Sequence, residues 1–392
     1  MIKKITQVGP GAGLENLVSG CRGVFNEPVE KFARDLSDYF YPEKIYLLNS
    51  GLAAFYIILE TVKNLSSKKE VILPAYTAPS MVLPVLKANL KPVLCDIAKD
   101  NFNVDLNSIS EIITKDTLCI VPTHLFGIPV SGIEDMKERF QGIFIIEDCA
   151  QSLGSTINGK KTGCFSNAGF TSFNRGKNLS TYGGGCIFTG SFELGEKVKA
   201  GIDSLAEQAI FSKSILPLKL TAFSLAVNPY MYGLFHLIIS RFKDNQVPEN
   251  FYSRKYSNFQ AGVGKSLLDK IDGFSEKRYN NGMFLAEKLY GLKEIIVPVT
   301  SKEAKPAFNR FPVLFKNLEL RQKIKNALWA SGFDTSFMYL KPLHHIFDLG
   351  NRKEDFPNAN YLAEHLLTLP VHPLLGKDDM ERIIQVIKKA AG

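Results

Sequence analysis

From residue 71 the chain alternates short, continuous apolar runs with longer stretches of helical spacing. Val71-Ile-Leu-Pro74, Pro92-Val-Leu-Cys-Asp96, Leu118-Cys-Ile-Val121 and Phe144-Ile-Ile-Glu-Asp148 read as strands. Ser80 to Asn89 and Ile133 to Phe140 read as helices between them. Continuous apolar strands separated by helices predict a mostly parallel sheet covered on both faces, an α/β fold. Ahead of this region, residues 1–30 are irregular and glycine-rich, and Glu30 to Phe40 has helical spacing. Tyr46-Leu-Leu-Asn-Ser-Gly51 then runs into an apolar helix from Leu52 to Glu60. Ala168-Gly-Phe-Thr-Ser-Phe173 and Cys186-Ile-Phe-Thr189 read as two further strands, and residues 191–203 as a helix leaving the sheet.

Ala261 to Leu289 has helical periodicity with its charges on one side. A smaller unit follows: Ile295-Ile-Val-Pro298 and Phe311 to Phe315 as strands, and Leu318 to Ser331, Tyr361 to Leu367 and Asp378 to Ala390 as helices. The pattern predicts an N-terminal arm and helix over 1–45 and a large α/β domain over 46–204. It then predicts an apolar helical insertion over 205–250, a linking helix over 251–290 and a small C-terminal α+β domain over 291–392. Within the insertion, Leu220 to Ser240 lacks Lys, Arg, Asp and Glu and is flanked by Lys213, Lys219, Arg241 and Lys243. Its length would suit a membrane span. Asn228-Pro229 at its centre predicts two short helices instead. These could form an interfacial hairpin or be buried against the core or a partner subunit.

Composition narrows the possible partners. With 392 residues, 45% hydrophobic and 22% charged, the chain is balanced like a soluble protein of two domains. A formal charge of +8 suits anionic substrates such as nucleotide diphosphates, or an anionic membrane surface. No Lys/Arg run is long enough to make a nucleic-acid stripe. Cys21, Cys95, Cys119, Cys149, Cys164 and Cys186 are scattered without a C-x-x-C pair, as expected of small core residues in a reducing compartment. Met1-Ile-Lys-Lys4 has no apolar segment after it, so a signal peptide is not supported and the cytoplasm is expected. Among His344, His345, His365 and His372 no pair has helical metal-site spacing, so no metal is expected. His344 reads either as a structural histidine or as one reaching a cofactor mouth.

The candidate chemistry centres on Lys177. It sits in a short polar loop that ends in Gly183-Gly-Gly185, whose glycines permit φ > 0 and the close approach of a flat ligand. Asp148 closes an apolar strand about thirty residues upstream. A buried-strand carboxylate, a loop lysine and a nearby hydroxyl (Ser172) form the minimal kit for holding pyridoxal phosphate. The plainer reading of Lys177 is a solvated loop lysine. Ser50-Gly51 at the mouth of an apolar helix reads as a phosphate site, or as an ordinary N-cap. Asp148, the Pro74-Ala-Tyr-Thr77 turn and the His124-Leu-Phe-Gly127 turn all fall at carboxyl ends of strands, where such sheets bind ligands. Gly262-Val-Gly-Lys-Ser266 is no P-loop, because Phe259 stands where the first glycine belongs and no strand precedes it.

Several ordered blocks resemble those of the DegT/DnrJ/EryC1/StrS sugar aminotransferases. They are Asn49-Ser-Gly-Leu-Ala-Ala54, Leu73-Pro-Ala-Tyr-Thr77 with Lys91 to Asp96, and Glu147-Asp-Cys-Ala-Gln-Ser152. Ser172-Phe-Asn-Arg-Gly-Lys-Asn-Leu179, Lys341-Pro-Leu-His344, Phe356-Pro-Asn-Ala359 and Leu369-Pro-Val-His-Pro373 complete the set. The resemblance runs from about residue 45 to the C-terminus, apart from roughly 205–250. It implies a fold type I pyridoxal-phosphate enzyme, a homodimer with its sites at the interface. Lys177 would form the Schiff base and carry the proton, and Asp148 would pair with the pyridine nitrogen. Gln151 would contact the ring hydroxyl, and Ser50, Gly51 and Ser172 the phosphate.

Five positions depart from the family pattern. Leu52 replaces a threonine in the phosphate turn. Ala78 replaces the ring-stacking aromatic, leaving Tyr76 as its stand-in. Tyr182-Gly183 replaces Gly-Glu, and Ser253 replaces the asparagine that reaches the partner's phosphate. The resemblance implies amino transfer to a keto group on a nucleotide-activated sugar, with glutamate as donor, for polysaccharide or glycoconjugate synthesis. Two alternatives stand beside it: pyridoxal-phosphate chemistry on a different or lipid-linked substrate at a membrane surface, and a non-catalytic regulatory relative.

Overall fold

The computed structural model describes residues 3–9, 12–26, 28–241 and 247–391, with backbone only over 237–241. Seven strands form the main sheet: β1 (Lys44–Leu48), β2 (Glu70–Pro74), β3 (Lys91–Cys95), β4 (Thr117–Ile120), β5 (Phe144–Asp148), β6 (Ala168–Ser172) and β7 (Gly185–Thr189). Their order is β1-β7-β6-β5-β4-β2-β3. The pairs β3/β2, β2/β4, β4/β5 and β5/β6 are parallel, while β7 runs antiparallel to both β6 and β1. The antiparallel strand follows from a short connection: the twelve residues of the Lys177 loop, 173–184, turn back without room for a covering helix. The expected α/β, fold type I architecture is therefore present, with one reversed strand.

Helix α1 (Leu14–Asn26) lies in a region that reads as irregular in the sequence. Its glycines are the reason. A methyl group on Gly20 would stand 2.7 Å from Phe259, one on Gly23 2.8 Å from the Asn258 carbonyl, and one on Gly262 2.4 Å from the Ser19 carbonyl. Small residues at this crossing let α1 and the helix over Asn258–Leu268 approach backbone to backbone, so Gly262 and Gly264 serve packing rather than a phosphate. Helix α2 (Val29–Phe40) buries Phe32, Leu36 and Phe40 along one stripe. Helix α3 (Gly51–Lys63) crosses the sheet with Phe55 stacked on Phe170 of β6 at 5.0 Å.

The insertion forms α4 (Ile210–Ser214), α5 (Leu216–Ala226) and α6 (Pro229–Arg241). The break at Asn228-Pro229 bends the helical path by 85°, and among the described residues no single helix is long and apolar enough to cross a membrane. Leu216 and Leu220 pack with Ala12, Phe259 and Val263, and the Tyr232 hydroxyl donates to Asp334 at 2.9 Å. Lys243 of the basic flank lies outside the described residues.

A second, antiparallel sheet is built from β8 (Ile295–Ile296), β9 (Phe311–Phe315) and β10 (Leu366–Leu369). Here the helix expected over Tyr361–Leu367 is corrected. The helix spans Pro357–His365, and Leu366 to Leu369 pair with β9 instead, a tertiary demand that local periodicity does not reveal. This unit docks against the main sheet at its ligand edge. The Leu343 N–H donates to the Ala75 carbonyl at 2.8 Å, and Asp96 accepts the N–H groups of Asn358 (3.0 Å) and Ala359 (2.9 Å) at a helix start.

Candidate active site

The sequence-selected residues converge on one edge of the main sheet. Asp148 ends β5, Ser172 ends β6, and Ser50 follows β1 as the N-cap of α3, its Oγ accepting the Ala53 N–H at 3.1 Å. Ser50 also bridges Gly184, so the turn after β1 meets the start of β7, and Thr123 bridges Asp148, so the turn after β4 meets the end of β5. Gly51 sits where a methyl group would stand 2.9 Å from the Ser172 Cβ. Two hydroxyls and the free N–H groups of a thirteen-residue helix thus face one spot, a ready receptor for a phosphate. Leu52 turns away and packs against the core. Gly184 and Gly185 serve this contact rather than a ligand's approach: methyl groups there would meet Tyr256 at 2.3 Å and the Ser50–Gly51 backbone at 2.5 Å.

Lys177 is held from both sides by buried amides. The Asn309 Nδ2 donates to the Gly176 carbonyl at 2.8 Å, and the Asn178 Nδ2 donates to the carbonyls of Leu153 (2.9 Å) and Ala307 (2.7 Å). Among the described residues no group hydrogen-bonds or pairs with its amine. Burial lowers the Lys177 amine to about 8, against the attraction of Asp148 and with the help of the Arg310 charge. Asp148, 3% exposed, is pushed up by burial, partly offset by its hydrogen bond from the Ala150 N–H (2.9 Å) and by the field of Lys177. The two opposite charges feel each other but form no ion pair. A buried acid and a recessed, partly neutral amine, separated and unspent, fit a cationic heteroaromatic ring that would engage both.

Gln151 and Tyr76 lie on the side of the smaller sheet. The Gln151 Oε1 accepts the Phe126 N–H at 3.1 Å and its Nε2 donates to the Tyr339 hydroxyl at 3.3 Å. Tyr76 is 1% exposed, and its hydroxyl donates to the Tyr339 carbonyl at 3.1 Å. Its ring tilts 56° against Tyr339 at 5.7 Å. Tyr339 thus joins the site although sequence reading passed it over, as it did Asn178, Asn309 and Arg310. Nothing in the spacing of two amides marks a clamp, but an arginine heading the apolar strand Phe311–Phe315 is a signal that could have been used. His344 packs edge-on against His345 and Phe356, with its Nε2 3.4 Å from the Lys353 carbonyl.

Behind Asp148 lies a fully buried network. Glu147 Oε1 accepts the N–H groups of Phe165 (2.8 Å) and Ser166 (3.1 Å) and the Ser166 hydroxyl (2.8 Å). Its Oε2 accepts the Gly163 N–H (2.7 Å) and faces His124 Nε2 at 3.0 Å. Val130 donates its N–H to His124 Nδ1, so the ring proton resides on Nε2 and is given to Glu147. Burial would push this carboxyl up, but these hydrogen bonds hold it below the usual range. The network fixes β5 against the loop before β6, and with it the place of Asp148.

Comparison with known proteins agrees with this geometry. Residues 19–388 match the DegT/DnrJ/EryC1/StrS aminotransferase family. A UDP-N-acetyl-3-dehydro-α-D-glucosamine 3-aminotransferase of Acidithiobacillus ferrooxidans is 26% identical, covering 87% of this chain and 82% of that protein. A dTDP-3-amino-3,4,6-trideoxy-α-D-glucose transaminase of Streptomyces venezuelae is 26% identical over 97% of this chain and 91% of its own length. The crystal structure of a DegT DnrJ EryC1 StrS aminotransferase from Brucella abortus superimposes with a TM-score of 0.76. It is 25% identical, covering 96% of this chain and 95% of that one.

Proposed function

We propose, for a chain that belongs to the DegT/DnrJ/EryC1/StrS aminotransferase family, the transfer of an amino group from glutamate to a keto sugar carried on a nucleotide diphosphate. The family makes it a pyridoxal-phosphate-dependent aminotransferase. The sugar nucleotide as substrate draws on the two relatives named above and on the net charge of +8. The observation that carries the reading is the pair Lys177 and Asp148, facing across one sheet edge without touching.

Pyridoxal phosphate, when bound, supplies an electron-withdrawing ring and a carbonyl carbon that can exchange amino groups. The chain's own residues would do the rest. Ser50, Gly51 and Ser172 would hold the phosphate, and Asp148 would keep the ring nitrogen protonated. Gln151, oriented by Phe126 and Tyr339, would meet the ring hydroxyl. Lys177, with its amine partly neutral near pH 8, would hold the group at its carbonyl carbon and, once released from it, would act as the base that moves a proton from the donor's α-carbon. Free, mostly buried cysteines support a reducing, cytoplasmic setting. The exposed Leu14 and Phe25 on α1 support a homodimer. The test is the visible spectrum of the purified holoprotein before and after glutamate. The absorbance should move to the shorter-wavelength amine form and return on adding the keto sugar nucleotide. A spectrum indifferent to glutamate would point to another donor.

One observation favours a second reading, in which the substrate is met at a membrane surface. Ile210, Phe211, Leu218, Leu225 and Leu234 are exposed on the insertion, with Lys219 among them. If anionic bilayers attract this face, the protein should float with phosphatidylserine vesicles, and Phe211→Ser with Leu218→Ser should stay in solution. Equal distribution of both proteins would exclude the idea.

A further inference from the structure

No step of the reaction uses the apolar insertion, yet its two longer helices reach the Lys177 loop from opposite ends. Phe223 of α5 meets the Tyr182 ring edge-on, at 5.8 Å and 65°. Tyr182 also packs on the cluster that Leu216 and Leu220 of α5 build with Phe259 and Val263. Arg175 places its guanidinium 5.4 Å from the centre of the same ring. Arg175 and Tyr182 both belong to the loop of Lys177 and flank it in sequence.

Helix α6 arrives by a second route. Its first residue, Pro229, accepts the Lys4 N–H at 2.9 Å. Lys4 belongs to a strap, residues 3–9, that is fastened to the smaller unit. Its amine lies 3.7 Å over the Trp329 ring, and the Ile5 N–H donates to the Gly332 carbonyl at 2.8 Å. Tyr232 of α6 stands edge-on against the same Trp329 ring at 6.4 Å. The strap then runs to the lysine loop. A methyl group on Gly176 would stand 2.8 Å from Val8 Cγ1, so Val8 backs the residue just before Lys177.

Tyr182 is the point at which contact with the insertion becomes loop geometry. Its φ is 61°, where glycine is at ease and a bulky side chain is strained. A residue stays in that region only where its surroundings over-determine it, and here Phe223 and Arg175 do so. Its neighbours Thr181 and Gly183 donate their N–H groups to the Phe173 carbonyl at 2.9 and 3.2 Å. The Gly184 N–H donates to the Asn49 carbonyl at 2.8 Å. A shift of Tyr182 is therefore felt both along the Lys177 turn and at the Ser50 corner.

We propose that the insertion positions the lysine loop: Phe223 seats Tyr182, and Pro229 holds the strap on which Val8 backs Gly176. Phe223 acts through Tyr182 and is a positioning residue. The inference rests on Lys177 as the residue that bonds the cofactor, and not on which donor or sugar is used.

The test compares wild type with Phe223→Ala, Phe223→Tyr, Tyr182→Gly and the double variant of Phe223→Ala with Tyr182→Gly. Urea titration checks folding. Capture of pyridoxal phosphate by the cofactor-free protein is then followed by absorbance against pH. A loop free to swing toward water loses part of the burial that lowers the Lys177 amine, so in Phe223→Ala the midpoint should rise from about 8. Asp148 and Arg310, whose charges also act on that amine, are the same in every variant. Turnover should fall about 10- to 100-fold, the cost of misplacing a reacting group from a distance. Phe223→Tyr keeps the ring and should restore both. Tyr182→Gly should show the same rise, and the double variant should be no worse than either alone. Val8→Ala reaches the loop from the strap and should move the midpoint in the same direction, so the test stands even where a Phe223 variant does not fold.

A folded Phe223→Ala with unchanged midpoint and turnover would reduce the contact to packing and overturn the proposal. Additive losses in the double variant would do the same, since the two rings would then act separately. Wild type that captures no cofactor would remove the reading of Lys177, and the inference with it, a failure visible before any variant is compared.

Discussion

Lys177→Ala should abolish the visible absorbance of bound cofactor and lower turnover by about 10⁴-fold or more, since one residue both bonds the cofactor and moves the proton. The protein should stay folded. The loop is fixed by Asn178 and Asn309 through backbone carbonyls, and among the described residues the Lys177 amine makes no hydrogen bond whose loss would matter. The same residue predicts a pH dependence. Its amine is lowered to about 8, so the reactive, neutral fraction is nearly full above that pH and falls about tenfold per unit below it. Cofactor capture by the cofactor-free protein, followed by absorbance, should rise with pH, reach half its maximum near 8 and level off above it. Loss of the Arg310 charge should move that plateau upward, and loss of the Asp148 charge should move it downward. A variant that keeps the absorbance and the activity without the lysine would remove the catalytic reading altogether.

How much of this was legible in the chain differs by distance. The parallel core was readable because β2 to β5 are continuous apolar runs, and burial on both faces allows little else. Asp148, Ser50 and Ser172 could be singled out because each ends a strand or opens a helix, and Lys177 because it lies in the polar loop between two strands, positions that the topology brings to one edge. The reversed strand β7 was not readable, since its direction depends on a loop length rather than on its own pattern. Helix α1 was missed because the glycines that look like breakers are its contact face with Gly262. Leu366 and Leu367 read as the end of a helix because the four residues of β10 are too few to carry a period of their own. Arg310, Tyr339 and Asn309 come from the smaller unit more than 100 positions downstream. Long-range docking places them at the site: Leu343 and Asn358 on the turns after β2 and β3, and Asn309 on the Gly176 carbonyl of the lysine loop.

The residue with the largest expected effect on the fold lies one position from the chemistry. Glu147→Gln preserves shape, yet it should destabilise the protein by about 3–5 kcal/mol. Both carboxylate oxygens accept hydrogen bonds from the protein, Oε1 from Phe165 and Ser166, Oε2 from Gly163 and His124. Whichever way the amide is turned, its NH2 faces at least two donors. His124 cannot relieve the conflict by exchanging its proton, because Nδ1 is needed to accept the Val130 N–H. The loop over Gly163–Ser166 then loses its anchor and β5 its register, so cofactor affinity should fall together with stability.

The acid response separates this account from simple loss of packing. The Glu147 carboxyl is held below its ordinary 4.5 in the folded protein, so its contribution is complete above that pH and is lost as pH falls through the folded value. Wild type should weaken steeply in that window in urea titrations. The glutamine variant, already without the charge, should change less there and approach wild type at low pH. Parallel acid limbs would mean that the hydrogen bonds to Glu147 do not depend on its charge.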